Sequence, residues 1–147
     1  LKPFFSISFL LLVQILFGQN PYFNKIDKSQ GLLTNSVYDI FQDKNDFMWF
    51  ATEKGLCRFN GYSFRYFSLE GMTLKAGSCI QQDTFGRIWY ENFDGYLYYV
   101  ENNQLKKLNQ NKSVGYFKFG FIKDQLYIIN NNTVDVYDVK NLHLKKE

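Results

Sequence analysis

Ten residues, 41–50 (FQDKNDFMWF), recur forty positions later as 81–90 (QQDTFGRIWY), and no gap is needed to align them. Asp43 falls on Asp83, Trp49 on Trp89, Gly55 on Gly95 and Phe59 on Tyr99. A unit that repeats at a fixed spacing is a supersecondary module that buries its apolar face by stacking on its neighbours. The runs between turn signals are short and alternate with period two, which argues strand over helix. Four short strands in about 40 residues is the signature of a β-propeller blade. The expected fold is therefore all-β, built of four-stranded antiparallel blades.

The first unit spans about residues 31–68. Its strands are predicted at 37–41, 47–52, 56–59 and 62–67. Asp43 to Asp46 forms one turn, because Asp and Asn tolerate left-handed backbone and bond their own main chain. Gly55 marks the second turn, and Asn60-Gly61 is a strong hairpin signal. The second unit, about 77–109, has strands at 78–82, 87–91, 95–100 and 104–108. A degenerate third unit occupies about 114–147, with strands at 114–122, 125–129 and 134–139 and a start of a fourth at 142–144. Tyr127 takes the tryptophan position there, 38 residues after Trp89. A lone strand at 22–27 precedes the first unit and is expected to complete another blade.

Residues 19–147 hold just over three units, whereas propellers close with about four to eight blades. The expectation is an incomplete ring, either the N-terminal piece of a longer protein or a truncated gene. Residues 4–17 are an apolar run broken only by Ser6, Ser8 and Gln14. That run is shorter than the roughly 20 residues of a membrane span. It fits the core of a secretory signal peptide over 1–18, with Gly18 before the cut and Gln19 first in the mature chain.

Composition narrows the function. Aromatic residues make up 20% of the chain, which suits half-buried pleated surfaces. The net charge of +3 is too small to imply nucleic acid as a partner. The mixed run Phe64-Arg65-Tyr66 is therefore read as strand, not as a base-stacking surface. Cys57 and Cys79 form no metal-ligand spacing; they are either free thiols or a bridge, which an exported compartment permits. In repeat register Cys57 matches Leu97 and Cys79 matches Asp39.

Candidate site residues favour structure over chemistry. Trp49 and Trp89 recur in equivalent places, as a wedge between blades would. Asp43, Asn45 and Asp46 could open a calcium loop, but its sixth and twelfth places would be Met48 and Lys54 where Gly and Glu are needed. A hairpin turn is the expected reading. Asp43, Trp49, Gly55, Asp83, Trp89 and Gly95 are thus taken as structural repeat positions. His143 is the one histidine in the sequence and has no cysteine near it. No nucleophile elbow, zinc-protease helix motif or phosphate loop is present. No catalytic residue, metal or cofactor is expected.

The segment Gly31-Leu32-Leu33-Thr34-Asn35-Ser36-Val37, followed by Gln42-Asp43, Phe47-Met48-Trp49-Phe50-Ala51-Thr52, Gly55-Leu56 and Arg58-Phe59, resembles the two-component regulator propeller repeat. Asp46 and Ala51 stand where that family usually has Gly. The match is close in the first unit, partial in the second and faint in the third. The resemblance implies the periplasmic sensor region of Bacteroidetes-type sensor kinases. There two seven-bladed propellers, an immunoglobulin-like domain and a membrane helix precede a histidine kinase, and known members sense glycan breakdown products. It further implies an extracellular ligand such as a glycan, the remainder of the sensor as partner, and a homodimer. Any kinase activity would lie in a missing C-terminal region. Two other readings stay open: an exported binding or scaffold propeller without signalling output, and a propeller enzyme similar to streptogramin lyases, which would need a catalytic histidine and metal-binding acids on one face.

Overall fold

The computed structural model describes residues 23–108, 113 and 117–146. The expected signal peptide over 1–18 lies outside them. The described chain forms three four-stranded antiparallel sheets. The first contains β1 (Val37–Gln42), β2 (Met48–Thr52), β3 (Gly55–Phe59) and β4 (Phe64–Phe67). The second contains β5 (Gly77–Gln82), β6 (Ile88–Asn92), β7 (Leu97–Glu101) and β8 (Gln104–Lys107). The third contains β9 (Phe117–Ile122), β10 (Gln125–Asn130), β11 (Val134–Asp138) and β12 (Leu144–Lys146). Each sheet is a meander in which sequential strands pair. The innermost strands β1, β5 and β9 lie side by side, so the sheets stack as the blades of a propeller.

Strand ends move where side chains capture the ladder. Asn60 Oδ1 accepts from the amides of Tyr62 and Ser63, so β4 starts at Phe64 instead of Tyr62. Asn92 Oδ1 accepts from the Tyr96 amide, which holds Gly95 and Tyr96 in the turn before β7. This second turn is one residue longer than its counterpart. Thr52 pairs with Gly55 and Ala51 with Leu56, whereas Glu91 pairs with Leu97. The gapless register therefore slips by one after the turn: Leu56 corresponds to Leu97, Cys57 to Tyr98, and Arg58 to Tyr99. The Cys79–Asp39 match is broken by bulges set at different places: Asp39 pairs with Ala51, whereas Ser78 pairs with Glu91 and Cys79, at φ 55°, lies within the bulge of β5.

The strand expected at 22–27 is not formed by residues 23–27. Asp27 instead caps a single 3-10 turn, Lys28–Gln30, in a capping box with Gln30. Its carboxylate accepts from the Ser29 amide and hydroxyl, and its carbonyl accepts from the Gln30 amide. That turns the chain away from strand pairing. The segment is tied to β4 by one side chain: the Tyr66 hydroxyl accepts from the Leu33 amide and donates to the Gly31 carbonyl.

Two apolar layers glue the sheets. Between the first and second lie Trp49, Leu56 and Phe67 against Ile80, Ile88, Tyr90 and Tyr98. Between the second and third lie Trp89, Leu97 and Tyr99 against Phe119, Leu126, Ile128 and Tyr137. A third cluster, Leu32, Phe50 and Cys57, covers the outer face of the first sheet, with Ile26 packed against it. Cys57 belongs to that cluster and Cys79 packs beside the second layer; the two thiols are free.

Candidate functional site

The repeat positions build a clasp within one hairpin. Asp43 is 6% exposed, and its carboxylate accepts three hydrogen bonds. One oxygen accepts from the Asn45 and Phe47 amides at 2.8 and 3.1 Å; the other accepts from the Trp49 indole at 2.7 Å. Asp83 repeats this with the Phe85 and Arg87 amides at 2.9 and 3.0 Å and the Trp89 indole at 2.8 Å. Hydrogen bonds to a carboxylate are stronger than neutral ones, and here they fix the turn and the rotamer of a buried indole together. The calcium-loop alternative fails on this geometry, because three N–H donors already occupy the Asp43 oxygens. Asp46 has φ 64° where Gly86 has φ 84°, so the family's usual Gly position keeps its left-handed backbone with an aspartate.

Gly55 and Gly95 both lie at positive φ, 110° and 82°. Gly95 also meets another backbone: a Cβ there would stand 2.2 Å from the Ser113 carbonyl oxygen. The third sheet lacks the clasp. Its hairpin is the two residues Lys123 and Asp124, and Tyr127, half-buried opposite Gly120, donates to Gln125 instead. His143 is exposed in the turn before β12.

The second clasp carries an additional cation. Arg87, 6% exposed, donates through Nε to Asp83 at 2.6 Å, through Nη2 to the Val139 carbonyl, and sits 3.7 Å from Glu101. Its guanidinium lies over the rings of Phe85, Trp89 and Tyr99. Lys106 completes the group with a 2.6 Å contact to Glu101. A guanidinium fits such a place because its flat fork stacks on rings and serves several acceptors at once.

The leading ends of the inner strands gather reactive groups. Asp39 accepts from the Ile80 amide at 2.6 Å, bridging β1 and β5. One blade on, Lys118 reaches the Cys79 sulfur at 3.0 Å and Glu91 at 3.5 Å, and Ser78 donates to the same Glu91 oxygen. The Cys79 contact, then the Glu91 charge, holds the Lys118 ammonium above the usual lysine range. Tyr38 and Phe93 meet edge to face at 4.9 Å at this end, each about half exposed. The rings are open to solvent, whereas the Glu91 carboxylate is buried. Among the described residues no group of three or more His, Cys, Asp or Glu side chains is placed to hold a metal.

Sequence reasoning identified the clasp residues, read Arg65 as strand and Arg58 as part of the repeat, and gave no role to Arg87, Glu91 or Lys118. A two-residue Asn60-Gly61 turn would set Arg58 opposite Ser63; the loop instead spans residues 60–63, and that sets Arg58 opposite Arg65 on β3 and β4.

Comparison with known proteins agrees with this architecture. Residues 31–54 match the model of the two component regulator propeller family. No curated protein matches the chain. Among solved structures, the extracellular domain of BT3049 from B. thetaiotaomicron, assigned as a hybrid two component system, is 22% identical, with a TM-score of 0.67 over 86% of this chain and 20% of that one. Two structures of the extracellular domain of BT4673 from the same bacterium, assigned as a one component and as a hybrid two component system, are 13% and 14% identical. They cover 84% of this chain and 18% of theirs, with TM-scores of 0.67 and 0.68. The chain spans about a fifth of the length of the structures it matches. Residues 31–54 are similar to the two component regulator propeller repeat, and the described residues share the β-propeller fold of these bacterial extracellular domains.

Proposed function

We propose that this chain is a ligand-sensing module, exported from the cytoplasm, of a two-component signal transduction protein. The observation that carries the reading is the family repeat at residues 31–54, set in a fold shared with extracellular domains of bacterial regulatory systems. The apolar run at 4–17 supports export through a signal peptide. The module is read as a binder: the buried carboxylates of Asp43 and Asp83 hold hairpins in the clasps. The rest of the sensor and a second copy of it are the expected partners, and a glycan fragment is the expected ligand class.

The test is made in the cell, in two parts. Residues 1–30 fused to alkaline phosphatase should give active, exported enzyme. An in-frame deletion of residues 31–147 should abolish a transcriptional response to one class of polysaccharide while leaving growth on glucose unchanged. An inactive fusion, or a transcript profile identical to the parent strain on every glycan supplied, would overturn the reading.

A further inference from the structure

The two clefts between sheets are built to the same plan and balanced differently. In the cleft between the second and third sheets, Arg87 and Lys106 face the carboxylates of Asp83 and Glu101. In the cleft between the first and second, position 47 is Phe instead of Arg, and a guanidinium enters from β3. Arg58 lies 4.4 Å over the Phe47 ring and 5.6 Å from that of Trp49, the same distance scale at which Arg87 lies over Trp89. Among the described residues, the Arg58 side chain has no hydrogen bond and no ion pair. Its cross-strand partner is Arg65, whose guanidinium donates to the Asn103 carbonyl at 3.2 Å and lies over the ring of Phe67. Like charges directly opposite on adjacent strands are unfavourable. The nearby carboxylate, Asp43, is spent on three N–H donors.

Space accompanies the charge. Arg58 borders a hollow of about 140 Å³ walled by Phe47, Ile88 and Val100, with Asn45 and Asn103 at the polar side. Asn103 also borders a second hollow of about 370 Å³ that contains Arg65. A rigid fork stacked on aromatic rings is pre-organised for a planar oxyanion and leaves its donors free. Apolar walls beside it favour an organic body over a fully hydrated inorganic ion.

We propose that the cleft between the first two blades binds a small organic carboxylate, whose carboxyl group pairs with Arg58 in the field of Arg65 and whose apolar part packs on Phe47, Ile88 and Val100. The site goes beyond the sensing assignment, since binding here requires no signalling output.

Benzoate is the probe, and the full chain is titrated while the Arg58 Nε–H resonance is followed by NMR. Benzoate should shift it saturably, more tightly than acetate does, and benzamide should not. Arg58→Gln should weaken benzoate binding about tenfold or more, as loss of a bidentate partner does. Asn45→Asp, a substitution in an exposed turn that adds a charge at the rim, should weaken it several-fold with an unchanged circular dichroism spectrum. If Arg58→Gln fails to fold, the benzamide comparison and Asn45→Asp decide. No saturable shift, an equal response to benzamide, or inorganic phosphate binding as tightly as benzoate would each overturn the proposal.

Discussion

Asp43 and Asp83 make the same bonds to hairpin and indole, yet their removal should not cost the same. Asp43→Ala strands two amides and an indole N–H, which costs about 1–3 kcal/mol. Asp83→Ala also leaves Arg87 buried without its nearest carboxylate, and breaking a buried pair from one side costs about 3–5 kcal/mol. Urea denaturation of both variants measures the difference; equal midpoints would refute the role given to Arg87. The thiols differ as well. Burial pushes the Cys57 thiol up to about 12, while Cys79 is only partly buried. In the native protein at pH 8 a thiol reagent should modify Cys79 and spare Cys57, which becomes reactive on addition of denaturant. Mass spectrometry of the labelled peptides reads the ratio.

At the scale of the hairpin, the turn that enters β7 is the sensitive one. Gly95→Ala forces an L residue into φ 82° and drives a Cβ against the Ser113 carbonyl, so it should cost about 3 kcal/mol or more. Gly55→Ala meets nothing nearer than the Lys75 Cβ at 3.3 Å and should cost about 1–2 kcal/mol, the left-handed penalty. Thermal melts of the pair test the order. These turns also mark how far the sequence could be read. The Asp-to-Trp spacing was legible because the clasp is local, and the strands beside it were placed to within a residue or two. The one-residue insertion before β7 was not, because a loop absorbs an extra residue while both strands keep their apolar alternation. The strand expected at 22–27 failed because alternation alone ignored the cap that Asp27, Ser29 and Gln30 form. The clefts were hidden for a different reason: one blade supplies its guanidinium from β3 and the other from the turn before β6, so no column of a repeat alignment shows it.

For the molecule as a whole, the buried polar groups predict an alkaline limit. Burial raises both the Cys57 thiol and the Tyr90 phenol above their ordinary values of 9.0 and 10.0. The folded state therefore keeps protons that the unfolded chain releases. The stability these groups contribute is complete below about pH 9 and is lost as pH rises towards 12, because proton release favours the unfolded state. The urea midpoint should fall steadily between pH 9 and pH 11, and less steeply in Cys57→Ala. A midpoint flat across that interval would count against burial of both groups.

The clasp has one more consequence. All its bonds close between residues at most six apart, and none reaches another sheet. A tandem duplication of one unit would copy it whole, and a deletion of one unit would remove it whole. Neither event would leave a buried indole or carboxylate without its mate. Blade number can thus change in evolution without repair of the hairpin, and what each new blade must renegotiate is the cleft it shares with its neighbour.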